Sequence, residues 1–406
     1  MKAVRLRHGQ SVPCVLNIAM KWLSELRSSL TLVLLVAGAL HVGAARADEL
    51  GVTSDSILFG QVAALEGPSA ALGQAARQGL LAAFNELNAK GGVYGRRLKL
   101  ASRNDGYDPD RSVVETIKLI YEDKVFALIG AVGTPTSIAT APIAASNDVP
   151  FIGPVSGAEF LRTPDFQNIV NIRASYAAEA EASIKHLTEE LRLTRIAIFY
   201  QDDAFGRDVL AGVKTHLDRR GLELAAEGTF ERNTRAVGAA LKVIRRAEPE
   251  AVILVGTYGP CAEFIKMSHR SGFNPTFTAV SFVGANALAK ELGAEGRGVI
   301  VSEVVPCPWD TDRRVVSDYQ AAMKSLDPSQ TPDFIGLEGY ITGRLVARAL
   351  AMTGPNPTRA DLLRIINEVG QFDIGGLVVN FGSARKDNPP QVTLTVIQSD
   401  GSFKPI

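Results

Sequence analysis

The chain has 406 residues, of which 21% are charged, and its 43 basic and 43 acidic side chains cancel. No basic block is present of the kind that nucleic acid or an anionic lipid surface demands. A single core seldom grows beyond about 250–300 residues, so more than one domain is expected.

The first element in the chain is an apolar run, 30–40, preceded by Lys21 and Arg27 and followed by Ala45-Arg46-Ala47. This is the pattern of a secretory signal, with cleavage expected after Ala47 and the segment 1–47 removed. Met20-Lys21 would give an n-region of ordinary length, so Met20 is the expected start. The run is shorter than the ~20 residues a spanning helix needs, and no Cys follows the small-residue site to carry a lipid. The expected product is therefore soluble and periplasmic. Processing removes six basic residues and one acidic residue, leaving a net charge near −5. Cys14 leaves with the signal; Cys261 and Cys307 remain, either as two small buried residues or as one optional disulfide.

From residue 56 onward, short apolar or β-branched runs alternate with longer stretches whose apolar residues recur every three to four positions. Strands are expected at 57–62, 97–102, 125–129, 150–152, 169–172, 195–200, 224–229, 251–255, 276–279 and 299–304. Helices are expected at 70–90, 109–122, 175–191, 205–220, 234–246 and 260–271. Such alternation predicts an α/β fold of parallel sheets wound by right-handed crossovers, and strands that are apolar throughout predict helices on both faces. Two such units, 50–171 and 176–304, are followed by helices at 313–325, 334–352 and 359–368 and a final strand pair at 377–381 and 392–398. Two Rossmann-like lobes are expected, with a ligand cleft at the carboxyl ends of their strands.

Several phrases recur in a telling order: Gly60-Gln61, Gly67-Pro68 before a helix containing Gly73, Gly91-Gly92-Val93-Tyr94-Gly95, Asp105 to Pro109, Ile129-Gly130 before a Thr/Ser-rich helix start, and Tyr258-Gly259-Pro260. In that succession the chain resembles the periplasmic leucine/isoleucine/valine-binding proteins, the type I solute-binding proteins of ABC transporters. The resemblance implies three hinge crossings, near 172–175, 303–306 and 375. Lobe one would comprise 48–172 plus 306–375, and lobe two 175–304 plus 376–406. It also implies a monomer that works with an ABC permease and ATPase in the inner membrane, without cofactor or metal.

The site follows partly from the residues themselves. Thr134-Pro135-Thr136 opens a helix directly after an apolar strand, gathering hydroxyls and backbone N–H groups at a positive dipole end where a carboxylate fits. The alternative is plain N-capping by Thr134. With Val132 and Gly133 before it, this loop is expected to face a second one, Val155-Ser156-Gly157, aligned through the resemblance. From lobe two the resemblance brings Tyr258 and Phe205 over the ligand, with Tyr176 at a hinge and Phe282 beside Ser281; any of these rings could equally be a half-buried aromatic. The family's amino-acid binders place a glutamate where this chain has Ser281, which leaves a ligand ammonium without its partner unless Glu338, Glu66 or Asp203 supplies one. Their lobe-one disulfide falls on Tyr107 and Gly133 and is absent.

No catalytic pattern appears: G-x-S-x-G, G-x-x-x-x-G-K-[ST], H-E-x-x-H and a strand-linked G-x-G-x-x-G are all missing. His186, His216 and His269 are expected on solvated helix faces. The expectation is an extracytoplasmic receptor for a small carboxylate-bearing solute, a branched-chain or other apolar amino acid or an organic acid. A ligand-sensing subunit for a membrane receptor is the alternative, and an enzyme the remote one.

Overall fold

A computed structural model describes residues 49–382 and 389–406. The signal segment, with Ala47 and the start at Met20, lies outside the described residues.

Lobe one is built on a five-stranded parallel sheet of order β2-β1-β3-β4-β5. Its strands are β1 (Ser56–Ala63), β2 (Arg97–Asn104), β3 (Ala127–Ile129), β4 (Phe151–Ile152) and β5 (Ile169–Val170), interleaved with helices α1 (Ala70–Ala89), α2 (Pro109–Tyr121) and α3 (Thr134–Ser146). Strand β1 is buried along nearly its whole length because it sits inside the sheet between β2 and β3, which is why its sequence, SILFGQVA, does not alternate.

Lobe two carries α4 (Tyr176–Lys185), β6 (Ile196–Gln201), α5 (Ala204–Asp218), β7 (Leu224–Phe230), α6 (Gly238–Arg246), β8 (Ala251–Val255), α7 (Tyr258–Arg270), β9 (Thr276–Ala279), α8 (Ala285–Leu292) and β10 (Ile300–Glu303). The chain then returns to lobe one for α9 (Arg314–Leu326), α10 (Phe334–Thr353) and α11 (Arg359–Val369), and ends in β11 (Gln371–Asp373), β12 (Val378–Asn380), β13 (Thr393–Ile397) and β14 (Phe403–Pro405). The second sheet has the order β14-β13-β10-β9-β8-β6-β7; β13 and β14 are antiparallel and the rest are parallel.

One strand departs from expectation. Residues 378–380 do not enter lobe two; they close an antiparallel hairpin with β11. Gly375 and Gly376, both at positive φ, make the turn, a conformation glycine adopts without steric cost. The crossing expected near 375 is therefore not there: 375 lies in the turn of that hairpin. Helix α8 was also missed, its eight residues being too short for a clear period.

Helix α10 seats on α1 through small residues. A Cβ on Gly79 would lie 1.8 Å from the Gly336 carbonyl oxygen, and one on Gly339 would lie 2.4 Å from the Ala76 oxygen. Glycine here permits backbone contact between helices, which anchors the returning segment to lobe one.

Two histidines are not solvated. His186 and His216 are buried, paired with Glu190 and Glu181, and burial pushes the His216 imidazole below its usual range. Cys261 and Cys307 are both free thiols, so the disulfide does not form in this structure.

Candidate functional site

The two lobes meet where helix starts and strand ends converge, and the side chains gathered there are almost wholly buried. On the lobe-one side the β3–β4 pairing extends past the strands through a bridge between Val132 and Val155. Gly133 N–H donates to the Val155 carbonyl and Val155 N–H to the Ala131 carbonyl. Gly133 and Val155 therefore spend backbone groups on this ladder while Val132 N–H donates to the Val62 carbonyl at 3.4 Å, and the Gly133 N–H is not free to hold a ligand. The ladder fixes the register of the next residues, and Thr134 Oγ1 sits 2.8 Å from Ser156 Oγ. Thr134 does not cap α3; Gly133 occupies that position, with φ of 106°. Thr136 turns its hydroxyl back to the Val132 carbonyl at 2.6 Å. One threonine and one serine are left facing the cleft at the positive end of a 13-residue helix.

The lobe-two side is aromatic. Tyr176 opens α4 behind its cap, Ser175, and its hydroxyl lies 3.5 Å from Thr134 Oγ1. A Cβ on Gly157 would fall 2.7 Å from the Tyr176 ring, so glycine at 157 is what lets that ring approach. Phe205, in the first turn of α5 behind the cap Asp203, packs on Tyr176 at 5.2 Å and on Phe282 at 5.0 Å between ring centroids. Phe282 in turn meets Tyr107 of lobe one at 5.9 Å. The ring of Tyr107 occupies the space over Gly133, where a Cβ would lie 2.3 Å from it. Tyr107, Tyr176, Phe205 and Phe282 are each 0% exposed, and burial pushes the Tyr107 hydroxyl well up and the Tyr176 hydroxyl to about 12. Both phenols are neutral donors at any physiological pH.

Tyr258 is placed differently. It begins α7 and accepts a hydrogen bond from Ala71 N–H across the cleft at 3.4 Å, so it ties the lobes at α1 and contacts none of the four rings. Further ties cross the cleft, among them Asn233 Nδ2 donating to the Gly106 carbonyl at 3.1 Å and Gln201 Nε2 to the Tyr107 hydroxyl at 3.2 Å. The structure is the closed form.

Ser281 and Glu338 belong to a buried charge network that the sequence did not reveal. Arg173, 2% exposed on the first crossing, places Nε 3.1 Å from Glu338 Oε1 and donates from Nη2 to Ser281 Oγ at 2.8 Å. Glu179, one turn into α4, accepts from Ser281 N–H at 2.7 Å, from Ser281 Oγ at 3.0 Å and from Ser302 Oγ at 2.6 Å. A carboxylate thus reaches position 281 after all, carried by α4. Glu303 lies in the same network, and burial, with Glu179 adding to it, pushes its carboxyl well above the carboxylate range. Burial lifts Glu338 to about 6 while Arg173 holds it down. The Arg173 guanidinium stays charged because Glu338 and Glu179 outweigh its own burial. The signal for Arg173 was a charge set between an apolar strand and a helix cap; for Glu179 it was an acid three residues after Tyr176, on the same helix face.

Among the described residues no cluster of His, Cys, Asp and Glu could hold a metal ion, and no helix is long and apolar enough to cross a membrane.

The periplasmic binding protein family model matches residues 56–403. A Leu/Ile/Val-binding protein homolog 7 of Brucella abortus is 24% identical over 277 residues, 66% of this chain and 67% of that one. A leucine-specific-binding protein of Salmonella typhimurium is 22% identical over 282 residues, 69% of this chain and 75% of that one. A crystal structure of a possible leucine/isoleucine/valine-binding protein from Rhodopirellula baltica superposes with a TM-score of 0.82 at 36% identity, covering 89% of this chain and 98% of that one.

Proposed function

Because the chain belongs to the periplasmic binding protein family, we propose that it is the receptor of an ABC importer, closing its two lobes on a small solute that carries a carboxylate. The names of its relatives point to the branched-chain amino acids, and small organic acids share the same head group. The observation that carries the reading is the Thr134–Ser156 hydroxyl pair, buried opposite the rings of Tyr176, Phe205 and Phe282.

The hydroxyl pair and the helix dipole bind the carboxylate, and the rings cover the apolar body. An open form exchanges with the closed one, and a ligand that touches both walls favours closure by its differential affinity. Asn233, Gln201 and Tyr258 complete the closed form without touching the head-group site. A permease then reads closure, and its ATPase drives release.

Calorimetry on a Thr134→Ala, Ser156→Ala double variant tests this reading against the solute that co-purifies with the protein. Hydrogen bonds to a charged group contribute about 1.5–3 kcal/mol each, so roughly 2–4 kcal/mol of binding should vanish after partial compensation. Unchanged affinity would place the head group elsewhere.

A further inference from the structure

We infer that Arg173 fills the place a ligand's cationic group would take, so that the captured solute is a carboxylate with an apolar or aromatic body and no ammonium group. The inference rests on the carboxylate-capture reading and narrows it.

An ammonium buried in a closed cleft needs an ionised carboxylate of its own, because a desolvated cation left unpaired is strongly unfavourable. The acids of the charge network and of the cleft rim that could serve it are already engaged. Glu179 accepts three hydrogen bonds from Ser281 and Ser302. Glu338 faces Arg173 at 3.1 Å. Asp203 accepts from Phe205 N–H at 3.0 Å and Gln201 Nε2 at 2.6 Å, and pairs with Arg232 at 3.1 Å. Glu66 is exposed and bonded to Asn104 at 3.3 Å. Glu303 is held toward the neutral acid by burial.

The cation in the middle of these acids belongs to the chain. Arg173 reaches Ser281 at 2.8 Å, and Ser281 adjoins Phe282, which closes the ring series through Phe205 to Tyr176. The positive charge of Arg173 favours ionisation at the Tyr176 hydroxyl, against the larger effect of burial, and that hydroxyl stands 3.5 Å from Thr134 Oγ1. The carboxylate subsite therefore lies within the field of a fixed guanidinium whose counterions are already in place. An incoming ammonium would have to compete with Arg173 for Glu338 and with the two serines for Glu179, whereas a plain carboxylate needs neither. Among the described residues three buried carboxylate oxygens, Glu338 Oε2, Glu303 Oε1 and Asp208 Oδ2, accept no hydrogen bond; an ammonium would have to use one of these if the inference is wrong.

The test is calorimetry on the full-length mature protein, stripped of solute, with acid pairs that differ only in the α-ammonium: 4-methylpentanoate against leucine, and 3-phenylpropanoate against phenylalanine. In at least one pair the plain carboxylate should bind ten-fold or more tightly than its amino acid, and Arg173→Gln should shrink that ratio at least ten-fold. Equal or tighter binding of the amino acid in both pairs overturns the inference and leaves the importer reading intact; an unchanged ratio in a folded Arg173→Gln protein removes Arg173 as its cause. If that variant does not fold, the wild-type ratios still decide. If no probe binds, mass spectrometry of the solute released from protein as purified decides: a carboxylate without an amine supports the inference, an amino acid overturns it, and a solute with no carboxylate overturns the capture reading as well.

Discussion

The two walls of the cleft are built on different principles. Lobe one lines it with residues whose backbone is already committed to the β3–β4 ladder, and what remains is a pair of hydroxyls positioned by strand register. Lobe two lines it with rings set on helix starts, and behind them a charge network that joins α4, β10, the turn after β9 and the first crossing to α10 of lobe one. Short polar groups on a rigid ladder suit a small fixed head group. Rings on helix starts move with their lobe and suit a body that must be covered only on closure. The charges serve a third purpose, because they straddle the hinge itself.

The largest effect that would test this division comes from Glu179. If its carboxylate is the keystone of the lobe-two side, Glu179→Ala should destabilise the ligand-free protein by about 3–5 kcal/mol, the cost of breaking a buried ionic network from one side. Urea unfolding measures it. A loss under about 1 kcal/mol would mean that Arg173 and the two serines re-pair among themselves, and the contrast between the walls would fade.

A smaller effect belongs to Glu338. Its carboxyl is raised from 4.5 to about 6 in the folded protein, so between those values the folded state binds more protons than the unfolded one. The Glu338 contribution to stability should therefore fall as pH rises from about 4.5 to 6 and level off above, by on the order of 2 kcal/mol. Asp333, which burial also lifts to about 6, adds a slope of the same sign. Glu338→Gln should flatten the decline without abolishing it, as read from urea midpoints across the window; an identical curve would exclude Glu338 as a contributor.

The smallest expected effect is at the rim. Asn233 holds a left-handed backbone, φ 61°, and its amide bridges to lobe one. Asn233→Gly keeps that backbone accessible while deleting hydrogen bonds of about 0.5–1.5 kcal/mol. Affinity should fall two- to ten-fold, and the ligand-free radius of gyration from small-angle scattering should rise. If neither changes, the tie does not contribute to closure.

Much of the architecture is legible in the sequence. Strands such as 251–255 and 276–279 match to the residue, because uninterrupted apolar runs between polar turns have few other interpretations. The Thr134 loop is legible from its own residues, whereas Ser156 is paired with it only through the family resemblance. The strand at 378–380 was placed in the wrong sheet, since three residues of β-branched and polar character carry no information about which edge they will pair with. Tyr107 enters the sequence reading only as the place of a missing disulfide; its position between Gly133, Phe282 and Gln201 depends on closure.

What the sequence determined by itself is local: the alternation of elements, the caps at Ser175 and Asp203 that start the ring-bearing helices, and the hydroxyls at strand ends. These rest on backbone periodicity and on side chains bonding to their own chain neighbours. What only the tertiary structure decided is the charge balance of the site. Arg173 and Ser281 stand 108 residues apart, Glu179 and Ser281 102, and Glu179 and Ser302 123. No periodicity connects such positions; they come together only when the crossings fold, and there the low dielectric of the interior makes their pairing obligatory.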